Sequence, residues 1–173
     1  MKLKDLHSLF VSELKDLYSA EKQLIKALPK MAKAATHEDL RQAFEQHMKE
    51  TETQIKRLDE VFEELQVSPR GEKCAAMEGL VEEGKKLLEE EAEPHVLDAA
   101  LICAAQRVEH YEIAGYGCVR ALAEQLGMTD LAAELQDTLD EEKKTNDKLS
   151  ELALSHINAK AMTASGDGSA SRK

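Results

Sequence analysis

The chain predicts an all-α fold, a bundle of four long helices with a long crossover that contains an additional short helix. Three observations lead there. Of 173 residues only 3 are Pro and 8 Gly, while 42% are hydrophobic and 33% charged, a balance that suits long amphipathic helices better than a sheet. Apolar residues recur at every third or fourth position through most of the chain, the period of one helix face. The interruptions fall where turn chemistry is concentrated, at Thr36, at Ser68-Pro69-Arg70-Gly71, at Pro94 and at Gly127.

The first helix is expected over residues 4–35, with the seam Leu6, Phe10, Leu14, Leu17, Glu21, Leu24, Leu28 and Met31. Pro29 lies inside this pattern and predicts a kink or local break. Thr36 reads as the N-cap of the second helix, with Asp39 three residues on as an imperfect capping box. That helix carries Leu40, Phe44, His47, Thr51, Ile55, Leu58, Phe62 and Leu65 and stops before the Ser68–Gly71 turn. A shorter helix over residues 72–91 has apolar residues on one side only. Pro94 opens the third long helix, at a position where proline is tolerated. Its seam is Leu97, Leu101, Ala105, Val108, Glu112, Tyr116, Val119, Leu122 and Leu126, ended by Gly127. The last long helix starts at Thr129 and carries Leu131, Leu135, Leu139, Glu142, Leu149, Leu152 and His156. Residues 1–160 form the expected bundle domain, and the small polar residues of 161–173 read as a flexible tail.

The linking segment between the second and third long helices is long enough to travel most of a helix of roughly 45 Å. Those two helices can therefore run parallel, the topology of ferritin-like bundles.

The formal charge is −11, from 23 basic and 34 acidic residues. Such a chain is repelled by nucleic acid and by anionic membranes, so neither is an expected partner. No apolar run reads as a membrane span or signal peptide, and a cytoplasmic protein is expected. Cys74, Cys103 and Cys118 have no paired spacing and read as small buried side chains of a reducing compartment.

Each long helix places a glutamate near its middle, on or beside the seam: Glu21, Glu50, Glu112 and Glu142. Each stands about 15 residues from the turn of its hairpin, hence at one level about 22 Å along the axis. Carboxylates at one level in a dry core repel one another unless a cation compensates them. Glu109 lies three residues before Glu112 and His47 three before Glu50, on the same faces. Glu141 replaces Glu142 if the phase slips by one. Oxygen donors with one imidazole suit iron, with manganese as the second choice; a structural zinc site would want Cys and His. His110 points away from the seam, His7, His37 and His95 read as surface or capping residues, and Tyr18, Tyr111 and Tyr116 as packing.

With these residues in view, the chain resembles the YciF/YciE-type family of bacterial stress proteins, within the ferritin-like (rubrerythrin-like) superfamily. The resemblance rests on Tyr-Ser-Ala-Glu-Lys-Gln-Leu (18–24), His-Met-Lys-Glu-Thr (47–51), Gln54, Ala-Met-Glu-Gly-Leu (76–80), Val-Glu-His-Tyr-Glu-Ile-Ala (108–114) and Glu-Glu-Lys (141–143). It implies a homodimer of helical bundles with a dinuclear metal centre. Glu21, Glu50, the Glu109/Glu112 pair and Glu142 match the glutamates of that centre, with Glu50 and Glu112 as bridging candidates. Both histidines of the family pattern are threonines here, Thr53 and Thr145, and His47 is the substitute the sequence offers on one side.

Two functions follow as expectations. One is a di-iron protein of the stress response, a ferroxidase or reducer of O₂ or peroxide. The alternative is a metal-free helical dimer acting through protein contacts, its carboxylates locked by Lys or Arg and the apolar side of the short helix (Val81, Leu87, Leu88) as contact surface.

Overall fold

A reciprocal cap starts the first helix. Asp5 accepts the backbone N–H of Ser8 at 2.7 Å, and the Ser8 hydroxyl accepts that of Asp5 at 3.1 Å, so two orphan donors of the helix start are satisfied. In the computed structural model, which describes residues 3–164, α1 then runs Leu6–Ala34, α2 Glu38–Glu64, α3 Ala75–Glu89, α4 Pro94–Gln125, α5 Thr129–Leu152 and α6 Asn158–Ala164. A π-helical turn, Ala153–Ile157, joins the last two. The described residues contain no strand, and the all-α class stands. No helix among them is long and apolar enough to cross a membrane.

Several local expectations are corrected. α1 runs unbroken through Pro29, which sits on the exposed face; there water can satisfy the carbonyl that the missing N–H leaves free. Cys103 and Cys118 are exposed on α4, and of the three cysteines Cys74 alone is buried. The seam of α5 does not continue to His156, which is exposed, but passes to Ile157, which is buried. The wider π turn adds a residue between Leu152 and the next inward position. α6 continues to Ala164, so residues 161–164, expected in the flexible tail, are helical; residues 165–173 lie outside the described residues.

Thr36 does not cap α2. The N-cap position is His37, which makes no side-chain cap. Asp98, near the start of α4, serves instead: its buried carboxylate accepts the backbone N–H of Thr36 at 2.7 Å and of His37 at 3.0 Å. Local sequence carries no sign of a cap supplied from another helix.

That bond also reports the topology. The start of α4 meets the end of α1 and the start of α2, so α2 and α4 run the same way. His156 stacks on His37 with ring centroids 6.2 Å apart, which brings the far end of α5 to the same place. α1 packs on α2 and α4, α5 packs on the same two helices, and α3 lies over α1 and α4. Gly115 lets α1 and α4 approach closely; a Cβ there would stand 2.6 Å from Leu17 Cδ2.

The apolar core comes in two parts. One gathers Leu24, Leu28, Leu40, Phe44, Leu101 and Leu149 with Cys74 and Met77 of the crossover. The other gathers Phe10, Leu14, Leu58, Phe62, Val119 and Leu135 at the opposite end. Between them, at the middle of the long helices, lies a buried polar layer of Glu21, His47, Thr51, Gln54, Glu109, Glu112, Thr138 and Glu142.

Replacing Asp98 by Ala removes the shared acceptor of two backbone donors. Urea denaturation should show a loss of about 2 kcal/mol with an unchanged slope. An unchanged midpoint would mean that the carboxylate does not tie these helix ends together.

Candidate metal centre

α2 presents His47, Thr51, Gln54 and Leu58 inward, three or four residues apart, so each occupies the same helix face. Glu50 falls off this stripe. Its side chain remains 26% exposed, with Gln46 Nε2 donating to Oε1 at 3.0 Å and His47 Nδ1 3.9 Å from Oε2. α4 turns Glu109 and Glu112 inward, α1 Glu21, and α5 Glu142. His47, Glu109, Glu112 and Glu142 each offer one ligand atom, all within 4.8 Å of one another. Glu21 is fully buried beside them, and its Oε1 accepts the Tyr116 hydroxyl at 2.6 Å. Thus five of the six residues expected from sequence meet in the polar layer, and Glu50 stands at its edge.

Glu141 and Glu142 separate as the helix period requires. Glu142 is buried and accepts a hydrogen bond from Gln54 Nε2. Glu141 is half-buried and holds Arg57, whose Nη1 and Nη2 donate to it at 3.0 and 3.1 Å. Arg57 also donates to Thr138. The guanidinium in this region is therefore committed outside the cluster.

No Lys or Arg pairs with Glu21, Glu109, Glu112 or Glu142 among the described residues. The nearest approach to an ion pair is His47 Nε2, 3.4 Å from Glu109 Oε1. With the acids ionised, five buried carboxylate oxygens lack any hydrogen-bond partner, two on Glu112 and one each on Glu21, Glu109 and Glu142, as do both His47 nitrogens; a proton on Glu109 is shared with Glu142. Each such group costs about 1–3 kcal/mol when it is simply left unsatisfied.

Protonation is the apoprotein's partial answer. Burial, reinforced by Glu142, pushes the Glu21 carboxyl up to about 8. Burial and the neighbouring carboxylates hold Glu109 and Glu112 well above the ordinary range, although His47 relieves Glu109. Glu142 is raised by burial, against the opposing influences of His47 and of hydrogen bonds with Glu109 and Gln54. Burial would strip His47 of its proton, but Glu109, Glu50, Glu142 and Glu21 prevail and push it up to about 10. A cation binding here would displace these protons, the usual coupling of metal to carboxylate and imidazole ligands. The donor chemistry fits: once those protons leave, several carboxylates and one imidazole converge with lone pairs to offer a cation.

A model of the domain of unknown function DUF892 matches residues 5–162. The chain belongs to the DUF892 family. Protein YciF of Escherichia coli strain K12 is 50% identical over 162 residues, 93% of this chain and 98% of YciF. The crystal structure of that E. coli stress protein superposes with a TM-score of 0.86, covering 90% of this chain and 98% of its own. YcfI of Rhodopseudomonas palustris, 46% identical, gives 0.83 over 86% of this chain and 95% of its own. A Xanthomonas campestris protein at 20% identity shares the fold, with a TM-score of 0.74 over 93% of this chain and 99% of its own.

Sequence spacing missed three participants of this DUF892 site. Tyr116 was expected to pack, yet its buried hydroxyl binds Glu21. Thr51 reaches the layer with its hydroxyl unpartnered, and Arg57 fixes the outer carboxylate Glu141. The signal available for Thr51 was its seam position, four residues from His47.

The sign of the pH dependence follows from the raised groups. Between the unfolded value of 4.5 and about 8, folded Glu21 keeps a proton that the unfolded chain has lost. His47 behaves likewise between 6.5 and about 10. In both intervals the folded state binds more protons, so stability falls as pH rises. Chelator-treated protein should melt at progressively lower temperature from about pH 5 to pH 9. A melting temperature that rises over this range would contradict the burial of these groups.

Proposed function

We propose that this chain is a ferritin-like dinuclear metal protein of the stress response, with ferroxidase or O₂/peroxide-reducing activity. The observation that carries this reading is the set of five unpartnered carboxylate oxygens and two unpartnered imidazole nitrogens in the middle of the core. Similarity to the stress protein YciF supports the physiological setting. The shared direction of α2 and α4 and the intervening crossover support the ferritin-like bundle.

Glu21, His47, Glu109, Glu112 and Glu142 would hold the metal. The chemistry a pair of iron ions supplies when bound is joint electron donation, with ferrous iron oxidised and peroxide reduced to water; manganese suits the same oxygen-rich donors. The protein's own part is positional. Tyr116 holds one oxygen of Glu21 and leaves the other free to bind. Gln54 does the same for Glu142. The apolar clusters above and below the layer exclude bulk water, which strengthens every electrostatic interaction inside it. A cytoplasmic homodimer belongs to the same proposal.

The metal-free alternative has less support. It requires each carboxylate to be locked by Lys or Arg, and the basic partner observed, Arg57, is bound to Glu141. Its proposed contact surface is also partly used, since Val81 and Leu88 pack on the core of their own chain.

Anaerobic titration with ferrous iron, followed by peroxide, tests the function. Wild type should bind a pair of ions per chain and oxidise them rapidly, whereas Glu109→Ala and Glu112→Ala should lose both properties. Unchanged stoichiometry and oxidation rate in those variants would refute the assignment.

A second test uses stability. Glu112→Leu replaces two unsatisfied oxygens by apolar surface and should raise the stability of the metal-free protein by about 1–3 kcal/mol. It should also abolish the stabilisation that added manganese gives wild type. A destabilised Glu112→Leu apoprotein would show that this carboxyl is held by interactions of its own.

A further inference from the structure

We propose that the cleft between α2 and α5 is the route by which divalent cations reach the buried centre, with Glu50 as a transit ligand on the way. This rests on the metal-centre reading above. The cleft, of about 400 Å³, has Asp39, His47, Glu50, Glu109 and Thr145 in its walls. It therefore opens directly onto two of the four residues whose ligand atoms converge. Cavities beside α3 and beside Pro29 have no wall residue from that group.

The donors in this cleft form a graded series from solvent to core. Side-chain exposure is 56% at Asp39, 26% at Glu50, 3% at His47 and 2% at Glu109. The inner steps are each within reach of a single ion. Glu50 Oε2 lies 3.9 Å from His47 Nδ1, and His47 Nε2 lies 3.4 Å from Glu109 Oε1. His47 is almost completely buried, yet neither of its nitrogens has a hydrogen-bond partner. One nitrogen faces the half-exposed carboxylate and the other the buried one. An ion bound between Glu50 and His47 has its next oxygen donor already in place.

The short side chain of Thr145 keeps the α5 wall open. Lys144 and Lys148 also line the cleft and oppose a cation; Lys148 is paired with Glu151 at 3.2 Å, while Lys144 has no carboxylate within 4 Å among the described residues. Asp39 and Glu50 attract an incoming cation in this cleft and Lys144 opposes it, so removal of either charge should be seen in kinetics before equilibrium.

Cobalt(II), whose visible absorption reports coordination, serves as the probe in stopped-flow uptake by the full chain. Equilibrium dialysis with metal analysis runs in parallel, and circular dichroism checks the fold of each variant. Glu50→Gln should slow uptake measurably while the amount bound at equilibrium and the affinity stay as in wild type. Lys144→Gln should speed it. Less metal bound by Glu50→Gln at equilibrium would make Glu50 a resident ligand and overturn the proposal. So would unchanged rates in both variants, which place the route elsewhere while leaving the metal centre intact. If wild type binds no cobalt, the centre itself falls and the route with it.

Discussion

Four carboxyl groups buried at one level, with no Lys or Arg paired to them among the described residues, are the constraint on which the rest of the structure depends. Folded domains are stable by only about 5–15 kcal/mol. A handful of unsatisfied buried oxygens, at about 1–3 kcal/mol each, uses a large part of that margin. The apolar ends of the bundle must therefore be well made, and they are: Phe10, Phe44, Phe62 and the leucines around them are essentially without solvent contact. On the metal-centre reading proposed above, the middle of the core gives up stability in exchange for donor atoms that a cation could use. Such a division is the usual relation between a functional site and the scaffold around it.

Support for the layer is spread across four helices. Tyr116 from α4 steadies Glu21 on α1, and Gln54 from α2 steadies Glu142 on α5. Both bonds cross between neighbouring helices at the level of the site, so helix packing and ligand position are set by the same contacts. At the end of the bundle Asp98 ties α4 to the α1–α2 corner. These cross-ties fix the register that brings Glu21, Glu109, Glu112 and Glu142 to one height.

Much of this was legible in the sequence because helical period and turn chemistry are local. Counting residues from the Thr36 and Gly127 turns put Glu21, Glu112 and Glu142 at one level, and the seam pattern put them inward. What failed was phase at single positions and anything contributed from a distance. Glu50 is one residue off the inward stripe of His47, Thr51 and Gln54, a rotation of roughly 100°, which spacing to the nearest three or four residues does not resolve. The π turn shifted the end of α5 by one residue, from His156 to Ile157. The cap on α2 came from Asp98, some sixty positions away, and the partner of Glu21 from Tyr116, which by composition alone was another packing aromatic.

Gln54 sits where the character of the whole protein is decided. Its amide donates to both Glu142 and Glu141 without bringing charge. An arginine or lysine at that one position would furnish a permanent internal counter-ion and quiet the repulsion among the buried carboxyl groups for good.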